Sequence, residues 1–147
     1  MWKMKLISLF IVLFVLTIFW TFSSSADNAP DMKRGESLYI DQCSKCHRKS
    51  GSGVKDVYPP LKNADYVQKG DNVELIRGMI YGREGRIVVN GIAYQGVMTT
   101  EIDKSLSESD IALILNYIYI KLNGMNKLAN EKDVKAARKA GKLQRHK

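Results

Sequence analysis

Hydrophobic and polar positions divide the chain into one unbroken apolar run followed by several amphipathic stretches. Leu6 to Phe22 (LISLFIVLFVLTIFWTF) carries no charge and shows no polar face. Residues 32–42 predict a helix with Gly35 and Tyr39 on one side, because positions four apart are neighbours on a helix surface. Residues 48–57 are polar and glycine-rich and predict a loop. Tyr58-Pro59-Pro60-Leu61 must run extended, since a residue before proline avoids the α region. Residues 71–80 predict a helix capped by Asp71 or Asn72. Its apolar stripe is Val73, Ile76, Met79 and Ile80, and Gly82 and Gly85 break it. Two β-rich runs between Arg86 and Tyr94 flank Asn90-Gly91, the strongest two-residue hairpin signal. Residues 107–123 predict the clearest helix. It opens on Ser107-Glu108-Ser109-Asp110, a capping box with Asp in place of Glu, and ends at Gly124. A last helical stretch covers 131–142.

The apolar run changes the picture of where the rest of the chain resides. Lys3 and Lys5 precede it and SSSADNAP follows it, which is the layout of a secretory signal with Ser24 and Ala26 as small residues before a cut. At 17 residues the run is also just long enough to span a bilayer. Residues 1–26 therefore read as a signal peptide or an uncleaved anchor. In both readings the remainder is exported, to the periplasm or the outer face of the cytoplasmic membrane. Both Trp and all four Phe lie in this leader, so the exported part holds only Tyr as aromatic. Its 121 residues carry 21 basic and 15 acidic side chains. That composition excludes a multi-domain enzyme, a polytopic membrane protein and a disulfide scaffold, and it leaves a core thin enough for a cofactor to help hold it.

The two cysteines of the chain are separated by two residues, in Cys43-Ser44-Lys45-Cys46, and His47 follows. A C-x-x-C-H run is the attachment signature of a c-type haem. Two thiols at that spacing reach the two vinyl groups of one porphyrin and form thioethers, and the adjacent imidazole becomes the proximal iron ligand. A structural zinc site would need four N or S ligands, and His47 is poorly placed to join both thiolates. A thioredoxin-like pair would want a βαβ context, and a bare disulfide over so short a loop stabilises little.

A sixth iron ligand must come from Met32, Met79, Met98, Met125 or His146. Met79 lies in a helical stripe, where methionine is ordinarily core. His146 is penultimate in a charged tail. Met98 lies in Tyr94-Gln95-Gly96-Val97-Met98-Thr99-Thr100, which reads as a glycine-containing loop 51 residues beyond His47. Met/His ligation leaves no open site and raises the reduction potential, so Met98 is the expected ligand. Its alternative is a gap-filler beside the haem. Pro59, 12 residues after His47, offers a carbonyl for the imidazole N–H, or else only a rigid turn.

These residues resemble the monohaem class I cytochromes c over about residues 32–142. Gly35 and Tyr39 match that family's first helix, Ile114 and Tyr117 the last helix packed across it, Pro59 and Leu61 its Pro-x-Leu, and Met98 its loop ligand. YPPLKNADYV, GREGRIVVNGIAYQGVM, DIALILNYIY and DVKAAR look like a bacterial subgroup with a hairpin before the methionine. The resemblance implies an all-α fold of four to five helices around one covalent haem c, with a short β-hairpin before the ligand. It also implies the Pro59 carbonyl bond to His47. Two departures stand out: Thr99 follows Met98 where the family has proline, and no exported Trp or Phe surrounds the haem. Tyr58, Tyr66, Tyr81 and Tyr94 are the candidates for those contacts, Tyr94 with Pro59 and Leu61 as haem-packing residues.

Residues 27–126 form the expected haem domain, with 13 basic and 13 acidic side chains; residues 127–147, a basic helix and tail, hold eight basic and two acidic. The tail reads as a solvated helix or as a dock for an acidic redox partner or anionic surface. Export speaks against nucleic acid, and membrane contact is expected only if the leader is retained. The expected function is a one-electron carrier in a respiratory chain, without catalytic residues, whose partners are oxidases, reductases or dehydrogenases. One alternative is a haem-bearing subunit or domain of a larger oxidoreductase. Another is a haem enzyme or sensor with an open iron face.

Overall fold

The computed structural model describes residues 29–99 and 102–143. The leader of residues 1–26, Thr100 and the ligand candidate His146 lie outside the described residues. Helix α1 spans Met32–Gln42, α2 Ser44–His47, α3 Asp65–Lys69 and α4 Asn72–Tyr81. Strands β1 (Arg83–Val89) and β2 (Ile92–Met98) follow, then α5 (Glu108–Tyr117), a π-helical turn over Ile118–Leu122, and α6 (Glu131–Ala140).

Side-chain caps set the helix starts. Asp31 accepts from the backbone N–H groups of Lys33 and Arg34 at 3.1 Å each, and Asp71 from those of Val73 and Glu74 at 2.9 and 3.2 Å. Ser107 caps α5 by accepting from the Asp110 N–H at 3.1 Å. The Asp110 carboxylate in turn faces the Ser107 backbone N–H, as in the expected box, and also pairs with Arg34 at 2.7 Å. A complete capping box forms at α6, between Asn130 and Asp133.

Six α-helices are described, more than the four to five expected. The additions are α2 and α3, of four and five residues, too short to show a period. The long helix expected over 107–123 is α-helical only to Tyr117 and then widens into the π turn. Gly85 was expected to break structure; it lies inside β1 with φ +106, paired with Gly96. The pairing therefore runs from Val89–Ile92 to Arg83–Met98. Asn90 and Gly91, with φ of 51° and 78°, make the two-residue turn that the strands' twist favours.

Helix α1 crosses α5 at Gly35. A Cβ there would lie 2.8 Å from the Leu113 carbonyl oxygen, so the backbones approach as closely as a missing side chain allows. The Tyr39 and Tyr117 rings meet at 5.2 Å beside this crossing. Helix α6 folds back on the same body through Val134 and Ala137, both fully buried. Arg77 donates from Nε to the Gly141 carbonyl at 2.6 Å, fixing the end of α6 against α4. The expected boundary at residue 126 is thus no break in packing.

Candidate haem site

The centre of the fold is a cavity open to one side. Cys43, Cys46 and His47 line one part of it, and Pro59, Pro60 and Leu61 continue that wall. Val67, Leu75, Met79, Leu115 and Ile118 form the apolar interior, and Ile87, Val89 and Met98 approach from the ribbon.

The short helix α2 sets the thiol and imidazole positions. The backbone N–H groups of Cys46 and His47 both donate to the Cys43 carbonyl, at 3.3 and 3.0 Å, so the turn brings both cysteines and the histidine to one cavity. Burial pushes the Cys43 thiol up to about 12, and the neighbouring Cys46 adds to the shift. Burial likewise lowers the His47 pKa, against the Pro59 carbonyl that favours the protonated ring. That carbonyl lies 2.9 Å from His47 Nδ1. A carbonyl only accepts, so Nδ1 carries the hydrogen and Nε2 is left as the donor atom for a metal.

Met98 shares this cavity with His47 but is the last residue of β2, not part of a loop. The difference arises because β1 begins as early as Arg83 and keeps β2 paired to Met98. Its side chain is half-exposed. Met79 lines the cavity as well, within the core, and Met125 packs against that core. Of the tyrosines, Tyr66 reaches the cavity wall. Tyr94 is buried in the core opposite Ile87 in the ribbon and does not form that wall. Tyr81 donates to the Arg138 carbonyl at 3.1 Å, and Tyr58 is half-exposed.

Two features in and around the cavity are not evident from local sequence alone. Arg83, whose side chain is 9% exposed, pairs with Glu74 at 2.8 Å and stands 4.9 Å from the Tyr66 ring centroid. Burial raises the Tyr66 hydroxyl to about 12. Inward alternation along β1 would have pointed to Arg83, but a charged residue at such a position reads as solvent-facing. The second feature is Asn123. It donates to the carbonyls of Leu61 and Ile118 at 2.7 and 2.9 Å and accepts from the Ala64 N–H at 3.0 Å, tying the Pro59–Leu61 wall to the π turn.

Two thiols, an imidazole with its Nε2 available and a thioether on a mostly apolar cavity are a donor set that fits an iron porphyrin. Among the described residues no cluster of three or more His, Cys, Asp or Glu suits a bare metal ion.

A sequence model described as cytochrome c matches residues 32–119. Cytochrome c-552 of Thermus thermophilus is 37% identical over 87 residues, covering 57% of this chain and 64% of that protein. A second cytochrome c-552, from a designated strain of the same species, is also 37% identical over 87 residues, 57% of each chain. The cytochrome c subunit of a quinone alcohol dehydrogenase from Gluconacetobacter polyoxogenes is 31% identical over 84 residues, 57% of this chain and 18% of that subunit. The matched stretch spans less than two thirds of each relative's length.

Proposed function

The chain belongs to the cytochrome c family, and on that premise we propose that it is an exported one-electron carrier whose haem is held by Cys43, Cys46, His47 and Met98. The supporting observation is the convergence of those four side chains on one cavity. A haem c bound there supplies a reversible one-electron change at its iron. The chain's own residues do the rest. The Cys43 and Cys46 sulfurs would anchor the group covalently, and His47 and Met98 would bind its iron. The Pro59 carbonyl fixes the imidazole's orientation, and the apolar interior keeps water away. Membership of the cytochrome c family supports an electron-transfer protein rather than an enzyme.

The likeness to a dehydrogenase's cytochrome c subunit supports a redox protein as partner: a dehydrogenase, reductase or oxidase. The excess of basic residues in 127–147 favours an acidic docking face. The leader supports a periplasmic location, free or tethered; among the described residues no helix is long and apolar enough to cross a membrane. The hairpin ahead of Met98 supports membership of the hairpin-bearing subgroup.

Co-expression with a haem-attachment machinery tests the reading. A coloured product, heavier than the polypeptide by one haem, is expected. Its oxidised form should show the weak near-infrared sulfur-to-iron band, and Met98→Ala should abolish that band while leaving the haem attached. A colourless product would refute the carrier. A high-spin oxidised protein that takes up cyanide at once would instead favour an open iron face.

A further inference from the structure

The loop between His47 and Leu61 passes so close to itself that one position admits no side chain. Gly53 has φ +64°, and a Cβ there would lie 2.6 Å from the Pro59 carbonyl oxygen and far inside contact of the Tyr58 carbonyl oxygen. That Pro59 oxygen is the atom 2.9 Å from His47 Nδ1. The Gly53 N–H donates to the His47 backbone carbonyl at 3.0 Å, so Gly53 touches both partners of the bond. We infer that Gly53 is a positioning residue: its missing side chain lets the Pro59 carbonyl stand at the imidazole and so sets the electron density of the His47 ring.

The inference rests on the haem reading above. A hydrogen bond from Nδ1–H to a carbonyl makes the imidazole a stronger donor through Nε2. A stronger donor favours the oxidised iron and lowers the potential. A side chain at 53 pushes the Pro59 carbonyl away, weakens the bond and raises the potential. Gly51 provides an internal control. It also has a left-handed φ, +73°, but a Cβ there would meet the end of the Leu122 side chain at 2.8 Å and Lys62 at 3.2 Å. Alanine at either position therefore incurs the same kind of backbone strain, and only position 53 presses on Pro59.

The experiment compares Gly53→Ala and Gly51→Ala in the haem-loaded full chain by redox titration and by the NMR resonance of the His47 Nδ1 proton. For Gly53→Ala the oxidised/reduced equilibrium should shift about threefold toward the reduced form, roughly 28 mV upward at 59 mV per decade. The proton should move upfield, as a weakened hydrogen bond requires. Gly51→Ala should leave both readings close to the parent's. Equal shifts in the two variants, or none in Gly53→Ala, would overturn the role. If Gly53→Ala does not accumulate, Gly53→Asn carries the same Cβ on a residue that tolerates the left-handed region, and the same two readings decide. Loss of the haem reading itself would show separately, as a parent protein without colour.

Discussion

Asn90 and Asp65 hold each other reciprocally: the Asn90 backbone N–H donates to the Asp65 carboxylate at 2.7 Å, and the Asp65 backbone N–H donates to the Asn90 side-chain oxygen at 2.9 Å. The Asn90 amide also donates to the Asn63 carbonyl at 3.0 Å. The hairpin tip is therefore clipped to the start of α3, and the ribbon that carries Met98 is fixed at the end farthest from it.

Removing the clip while keeping the turn should separate these two roles. Asn90→Gly retains the left-handed φ of the turn but loses two side-chain hydrogen bonds. It should cost about 1 kcal/mol, read from the denaturation midpoint at unchanged slope. Asn90→Ala adds backbone strain and should cost more. Both variants should weaken the near-infrared band if the ribbon's position sets the Met98 contact.

Gly35→Ala tests the α1–α5 crossing. Alanine favours the helix by up to about 1 kcal/mol, but its Cβ would lie 2.8 Å from the Leu113 carbonyl, which is backbone and cannot turn aside. Overpacking of this kind costs typically about 1–3 kcal/mol, so a net loss of up to about 2 kcal/mol is expected. A stabilised variant in chemical denaturation would show that the helices separate easily.

Much of the frame was legible where the signal is local. The start of α4 follows from Asp71 and the turn from Asn90-Gly91, because each depends on chemistry within a few residues. The four-residue α2 was visible only as C-x-x-C-H, since a single turn has no period. The reach of β2 to Met98 was hidden by Gly85 and Gly96, which read as breakers yet face each other across the ribbon. The positions of Arg83 and Asn123 depend on partners beyond the local sequence. The Arg83 side chain is buried through its pair with Glu74, nine residues away in sequence, and Asn123 is held by carbonyls and amides up to 62 residues away.

Acid should weaken the fold through carboxylates held in their charged form. Asp110 titrates below the usual carboxylate range, chiefly because its side chain accepts a hydrogen bond from Arg34. A group depressed on folding stabilises the protein above its unfolded pKa, and that stability is lost as pH falls through the folded value. Stability should therefore hold above about pH 4 and decline below it. Asp110→Asn should flatten part of that decline and lower stability at neutral pH. An unchanged acid profile would show that Arg34, half-exposed, contributes nothing measurable.

The basic C-terminal segment can be tested as a docking element only in a way that spares α6. Deleting residues 127–147 would remove Val134 and Ala137 from the core. It would also remove the Ala129 backbone that pairs with the buried Asn116 amide at 2.7 and 3.0 Å, so the deleted protein would report on folding. Lys132, Lys139 and Lys142 are exposed and can be changed without that damage. Replacing all three by Gln should leave the denaturation midpoint within about 0.5 kcal/mol of the parent, as surface substitutions do. Electron transfer to an acidic partner should slow severalfold at low salt, and its dependence on ionic strength should become shallower, because steering by exposed charge is screened within about 10 Å at 0.1 M. Stopped-flow rates across a salt series make the comparison. An identical salt slope for parent and variant would mean that the tail's charge faces away from the partner, and that the docking face lies on the electrically balanced remainder of the domain.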